Sequence, residues 1–127
     1  MLTVALVLAA LAALVHVYIF VLESLQWEQP GTLKAFGMNA EVARVTKPLA
    51  YNQGFYNLFL AIGTAVGIAL SGSQREAAIA LVVFGCGSMV AAALVLVTSD
   101  ASKARGAAIQ GTFPALALLG LLIWGLG

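Results

Sequence analysis

Long apolar stretches alternate along the chain with shorter polar ones. A helix rises about 1.5 Å per residue, so about 20 residues cross the hydrocarbon core of a bilayer. Four stretches are long and apolar enough: residues 2–22, 48–70, 77–97 and 107–126. Their length and lack of polar alternation argue against strands. The pattern predicts an all-α, four-helix transmembrane bundle that forms one domain over residues 1–127.

The first connection, residues 23–47, is much longer than the other two. We expect a short interfacial helix in it, from Asn39 to Thr46, with Asn39 as its N-cap. Pro48 then fits the first turn of the second span. Pro114 leaves two alternatives for the fourth span. In the first, the helix already runs through Gln110, and the Gln110 carbonyl has no hydrogen-bond donor because Pro114 has no N–H. In the second, the helix starts at Phe113 and the proline lies in its first turn.

The basic residues are unevenly distributed between the connections. The first and third connections hold five of the six, and the second holds only Arg75; the five are Lys34, Arg44, Lys47, Lys103 and Arg105. Basic residues favour the cytoplasmic side. The distribution therefore predicts that the first and third connections are cytoplasmic and that both termini lie outside.

Composition narrows the class of protein. The chain is 62% hydrophobic and 9% charged, whereas a soluble domain is about 25% charged. This excludes an ordinary soluble domain, and the high hydrophobicity excludes intrinsic disorder. A net charge of +1 gives no basic field for nucleic acid. The expected environment is the lipid bilayer, with no nucleic-acid partner.

Small residues indicate how the helices pack. Gly63 and Gly67 form a GxxxG motif, which allows close packing either within the chain or in a homodimer. Cys86 is the only cysteine and is interpreted as a small core residue. With one cysteine and one histidine, the sequence predicts no disulfide, no metal site and no cofactor.

The polar residues of the predicted spans collect toward the cytoplasmic side. Such groups are costly in a membrane and usually face the bundle interior or a cavity. We therefore predict a cytoplasm-facing cavity whose candidate ligand-binding residues are His16, Glu23, Asn52, Gln53, Tyr56, Asn57 and Gln110.

Each candidate also has a structural interpretation. His16 is alternatively a buried residue that holds helices together through Asn57 or Gln110, and Glu23 alternatively marks the end of the first helix. The amides are alternatively interhelical hydrogen-bonding groups. No phosphate-binding loop, nucleophile elbow or HExxH motif occurs.

Several residue runs resemble a family of small bacterial four-helix membrane proteins of unknown function. The resemblance covers nearly the whole chain. It rests on the following residues: the run from Leu14 to Glu23, Trp27, Thr32 with Phe36-Gly37, the run 52–57 with sequence Asn-Gln-Gly-Phe-Tyr-Asn, and Gln110-Gly111 with Pro114. The resemblance implies a multi-pass protein of the bacterial inner membrane and supplies no activity, substrate or catalytic residue.

Three functions are compatible with this pattern. The first is binding or transport of a small amphiphilic or apolar molecule in the polar cavity, with transport requiring a homodimer. The second is a membrane enzyme that acts on a lipid-like substrate with His16 and Glu23 as acid and base. The third is a structural partner subunit whose polar groups satisfy one another. The sequence favours a binding protein over an enzyme.

Overall fold

The computed structural model describes residues 1–127 and contains helices and no strand. Helix α1 (Leu2–Phe20) continues into a π-helical turn at Val21–Leu25. The short α2 covers Pro30–Phe36, and α3 covers Ala40–Leu70. Helix α4 covers Arg75–Ser99, and a 3-10 turn at Ala101–Lys103 leads into α5 (Ala104–Leu126). The four long helices are long and apolar enough to cross a membrane, so the predicted all-α bundle is confirmed.

The four long helices form a ring in which each helix packs against two neighbours. Helix α1 lies between α3 and α5, and α4 lies between the same two on the opposite side. The core is built mainly of small side chains, and its central cluster contains Ala5, Ala9, Val82, Cys86, Ala117 and Leu121. Cys86 is a buried free thiol, as its interpretation as a core residue predicts.

Glycines let the helices approach closely where large side chains would not fit. A Cβ added to Gly120 of α5 would lie 3.0 Å from the Ala5 Cβ of α1. A Cβ added to Gly67 of α3 would lie 2.9 Å from the Leu81 Cβ of α4 and 3.0 Å from the Ala78 carbonyl oxygen. Gly63, the other glycine of the GxxxG motif, faces open space. Half of the motif is thus used for packing within the chain.

The first connection differs in detail from its prediction. It does hold a short helix, but this is α2, whereas the residues predicted to form a separate helix are the first turns of the 31-residue α3. The Asn39 N-cap is confirmed, because its side chain accepts a hydrogen bond from the Val42 amide at 2.8 Å. Pro48 lies inside α3 rather than in a first turn. It is exposed, so water can reach the carbonyl that its ring deprives of a donor.

The first and third connections meet at one end of the bundle, which we call the polar end. Lys103 donates a hydrogen bond to the Phe36 carbonyl oxygen at 3.0 Å, at the C-terminus of α2, where a positive charge is favourable. On the same side, Trp27 Nε1 donates to Thr46 Oγ1 at 3.1 Å. Asp100 accepts hydrogen bonds from the Ser102 hydroxyl and amide, which lower the pKa of its carboxyl.

Candidate functional site

A direct contact between Glu23 and Asn57 joins the end of α1 to α3. Asn57 Nδ2 donates to Glu23 Oε1 at 2.6 Å and more weakly to the Gln53 carbonyl oxygen at 3.4 Å. Both side chains are half-buried. Two of the predicted site residues, from separate spans, are therefore brought together.

Glu23 lies in the π-helical turn that follows α1. The defining hydrogen bond of this turn runs from the Gln26 amide to the Val21 carbonyl oxygen at 2.9 Å. The neighbouring Ser24 donates its hydroxyl to the Tyr51 carbonyl oxygen at 2.8 Å. A Cβ at Gly54 would clash with the Ser24 hydroxyl and lie 3.0 Å from the Ser24 nitrogen. The glycine thus allows the turn to lie against α3. Such π-turns often occur at functional sites.

His16 is buried and bonded to its own helix. Its Nδ1 lies 2.8 Å from the Ala12 carbonyl oxygen, and the side chain is 2% exposed. The structural interpretation predicted a hydrogen bond from His16 to Asn57 or Gln110, and neither bond is present. His16 is also not hydrogen-bonded to Glu23. The two lie seven positions apart, about two turns and about 10 Å along the helix axis.

Gln110 lies within α5, which decides between the two alternatives for Pro114. The helix begins at Ala104, so Pro114 is inside it and gives no donor to the Gln110 carbonyl. Ala107 and Pro114, one turn before and one turn after Gln110, are both buried. Gln110 therefore belongs to the inward face of α5, where its half-buried side chain forms no hydrogen bond within the chain.

Four of the seven candidate residues are buried or half-buried, and we call them the inner polar cluster, in which Glu23 and Asn57 form the one direct contact: His16, Glu23, Asn57 and Gln110. Asn57 belongs to the inward face of α3 because Gly54, Ala61 and Thr64, at one-turn and two-turn spacing, are buried. The other three candidates, Asn52, Gln53 and Tyr56, have exposed side chains and do not join this cluster.

Two grooves on the bundle differ from the inner polar cluster because mainly apolar side chains line them. One, of about 410 Å³, lies between α1 and α3 and is lined only by apolar side chains, among them Leu14, Val17 and Ile62. The other, of about 350 Å³, lies between α4 and α5 and includes Leu94 and Thr112. Leu14, Ile62 and Leu94 are each at least half exposed. Neither groove contains a residue of the inner polar cluster.

Most of the chain matches a known protein family. Residues 10–122 match a family described as proteins of unknown function, DUF1304. The chain belongs to the DUF1304 family. No curated protein and no solved structure matches it. The matched range of this DUF1304 protein includes all four residues of the inner polar cluster, and the family's description assigns them no role.

Sequence reasoning missed several features of this DUF1304 protein. Ser24 and Gly54 were not among the candidates, because neither residue carries a signal that they pack against each other across 30 positions of chain. The π-turn was not predicted either, since an inserted residue in a helix leaves the apolar pattern of 2–22 unchanged. The Trp27 contact with Thr46 had only the general tendency of Trp to lie near membrane interfaces as its signal.

Proposed function

We propose that this DUF1304 protein binds a small amphiphilic molecule inside the polar end of the bundle, as a binding or transport protein of the bacterial cytoplasmic membrane. The polar part of the ligand contacts the inner polar cluster, and its apolar part faces the small side chains deeper in the core. The site opens toward the cytoplasm.

The observation that carries the proposal is unused hydrogen-bonding capacity on inward faces. Every enclosed side-chain nitrogen and oxygen of the chain has a hydrogen-bond partner. His16 Nε2, Glu23 Oε2 and the Gln110 amide form no hydrogen bond within the chain, so each keeps a free position for a polar group of a ligand. Polar groups at membrane depth are expensive and usually serve a pathway or a ligand.

The helices around the cluster support a small ligand rather than a bulky one. The inward residues nearest in sequence are themselves small: Ala12 and Ala13 beside His16, Gly54 and Ala61 beside Asn57, and Ala107 beside Gln110. Ligand sites typically combine a mostly apolar lining with a few convergent polar groups. The interior of the polar end has this composition.

The test is a ligand screen on the purified full-length protein. Thermal unfolding in a neutral detergent is measured with a panel of small amphiphiles, and any molecule that raises the midpoint is retested on Asn57→Ala and Gln110→Ala. We expect both variants to lose most of the shift, because each removes an inward polar group.

Asn52→Ala is the matched control, since Asn52 is an exposed asparagine of the same helix. It should retain the full shift. Hits that survive in both inward variants but disappear in Asn52→Ala would place binding on the outer surface and contradict the proposal.

A further inference from the structure

The unused groups of the inner polar cluster are mainly hydrogen-bond acceptors. The Ala12 carbonyl only accepts, so the His16 Nδ1 that lies 2.8 Å away carries the proton. In the neutral ring, Nε2 is then an acceptor. Asn57 Nδ2 directs its two hydrogens to Glu23 and to the Gln53 carbonyl, which leaves Oδ1 as the free atom.

Glu23 adds the only formal charge of the cluster when it is ionised. One carboxylate oxygen is held by Asn57, and the other has no donor within the chain. The lysines of the polar end with defined contacts are engaged elsewhere: Lys47 pairs with Glu28 at 2.8 Å, and Lys103 donates to Phe36. No basic side chain forms an ion pair with Glu23.

We infer that the ligand's polar group is a cationic hydrogen-bond donor, a primary ammonium in the simplest case, held by Glu23 Oε2 and Asn57 Oδ1. This inference rests on the proposed function and adds the chemical class of the ligand. An ammonium has three donors and no acceptor, so it complements a site that offers acceptors. A carboxylate or phosphate would bring further acceptors and a like charge to Glu23, which is unfavourable.

The experiment compares three probes with the same apolar body and different polar groups: benzylamine, benzyl alcohol and benzoate. Binding to the full-length protein in phosphatidylcholine nanodiscs is measured by calorimetry. We expect benzylamine to bind most tightly and benzoate most weakly. Glu23→Gln keeps the shape of the side chain and an acceptor for Asn57 but removes the charge. It should weaken benzylamine about tenfold or more, the factor expected for a hydrogen bond to a charged group.

Glu76→Gln is the control, because Glu76 is an exposed glutamate at the opposite end of the bundle. It should leave benzylamine affinity unchanged. Preference for benzoate, or an unchanged benzylamine affinity in Glu23→Gln, would overturn the inference on charge and leave the proposed function standing. Failure of all three probes, together with a ligand screen without hits, would overturn both.

Discussion

The two halves of the bundle are stabilised in different ways. In the half that contains Ala5, Gly67 and Gly120, helices approach until no added Cβ would fit, and the core is apolar. At the polar end, α1 and α3 are joined by the hydrogen bonds of Glu23 and Ser24. Helices also approach closely at the polar end, where a Cβ added at Gly54 or Gly111 would meet Ser24 or Ala93. The comparison teaches that close packing is common to both halves, whereas interhelical hydrogen bonds and free acceptors distinguish the polar end.

The largest expected effect is in a labelling experiment that tests which end of the bundle faces the cytoplasm, because each introduced cysteine is either labelled from outside or not. With Cys86→Ala as background, a cysteine is introduced at Ala101 in the third connection or at Ser73 in the second, both exposed. A membrane-impermeant maleimide should label Ser73→Cys in intact cells and Ala101→Cys only after permeabilisation. Labelling of Ala101→Cys from outside would reverse the predicted topology.

The packed half should be sensitive to added volume at Gly67. Gly67→Leu forces a side chain against Leu81 and the Ala78 carbonyl, and overpacking of this kind costs about 1–3 kcal/mol. Unfolding of the purified protein in detergent measures the loss. Gly63→Leu, in the same motif but facing open space, should unfold like the wild type.

If Gly63→Leu changes the oligomeric state while leaving the monomer fold intact, the motif also serves a homodimer. Equal destabilisation by the two substitutions would contradict the packing described for α3 and α4.

Disturbing the close approach of Ser24 and Gly54 should lower the stability by an intermediate amount. Gly54→Ala places a Cβ against the Ser24 side chain, with an expected cost of about 1 kcal/mol, the lower end for overpacking. In a Ser24→Gly background the same substitution should cost less, because the hydroxyl and Cβ that it meets are gone. Additive effects in the double variant would show that the two residues do not restrain each other.

The contact between Asn57 and Glu23 should contribute less to the free energy of unfolding than the packing contacts do. Asn57→Ala removes the donor to Glu23, and interhelical hydrogen bonds in membranes average about 0.6 kcal/mol. Unfolding in detergent should register this small loss, while Asn52→Ala should be neutral. A loss for Asn57→Ala as large as that for Gly67→Leu would mean that hydrogen bonding stabilises the polar end as strongly as packing stabilises the other.

The smallest effect is expected at Asp100, outside the spans. Hydrogen bonds from Ser102 lower the pKa of Asp100. Its folded-state pKa thus lies below the unfolded value, so its stabilising contribution is present above the unfolded pKa and lost as the pH falls through the folded one. The stability difference between wild type and Asp100→Ala should shrink on acidification below the ordinary range for Asp. A difference that grows on acidification would contradict the sign.

Prediction from the sequence succeeded where a single helix carries the signal. The four long helices follow from apolar length, and the Asn39 cap follows from a residue type that accepts a hydrogen bond from its own helix start. The placement of the short helix in the first connection was wrong. The structure has no break between residues 40–46 and the rest of α3. Pro48 is exposed and does not end the helix.

The candidate site was only partly foreseeable. The spacing of His16 and Glu23 by two turns predicts a shared face on one helix, but Glu23 lies in the π-turn, where its contact is with Asn57 of α3. Asn52, Gln53, Tyr56 and Asn57 lie within two turns of α3, and their side chains point in different directions around it. Only packing against α1 decides that Asn57 faces inward while the other three are exposed.

The sequence by itself determined that this protein is an apolar four-helix bundle with its few polar groups near one end, because helix length and residue hydrophobicity are local properties. The tertiary structure decided that Glu23 meets Asn57 and that Gly67 but not Gly63 packs against α4. These facts depend on the relative rotation and register of neighbouring helices. Small-residue contacts set both, and no single helix encodes them.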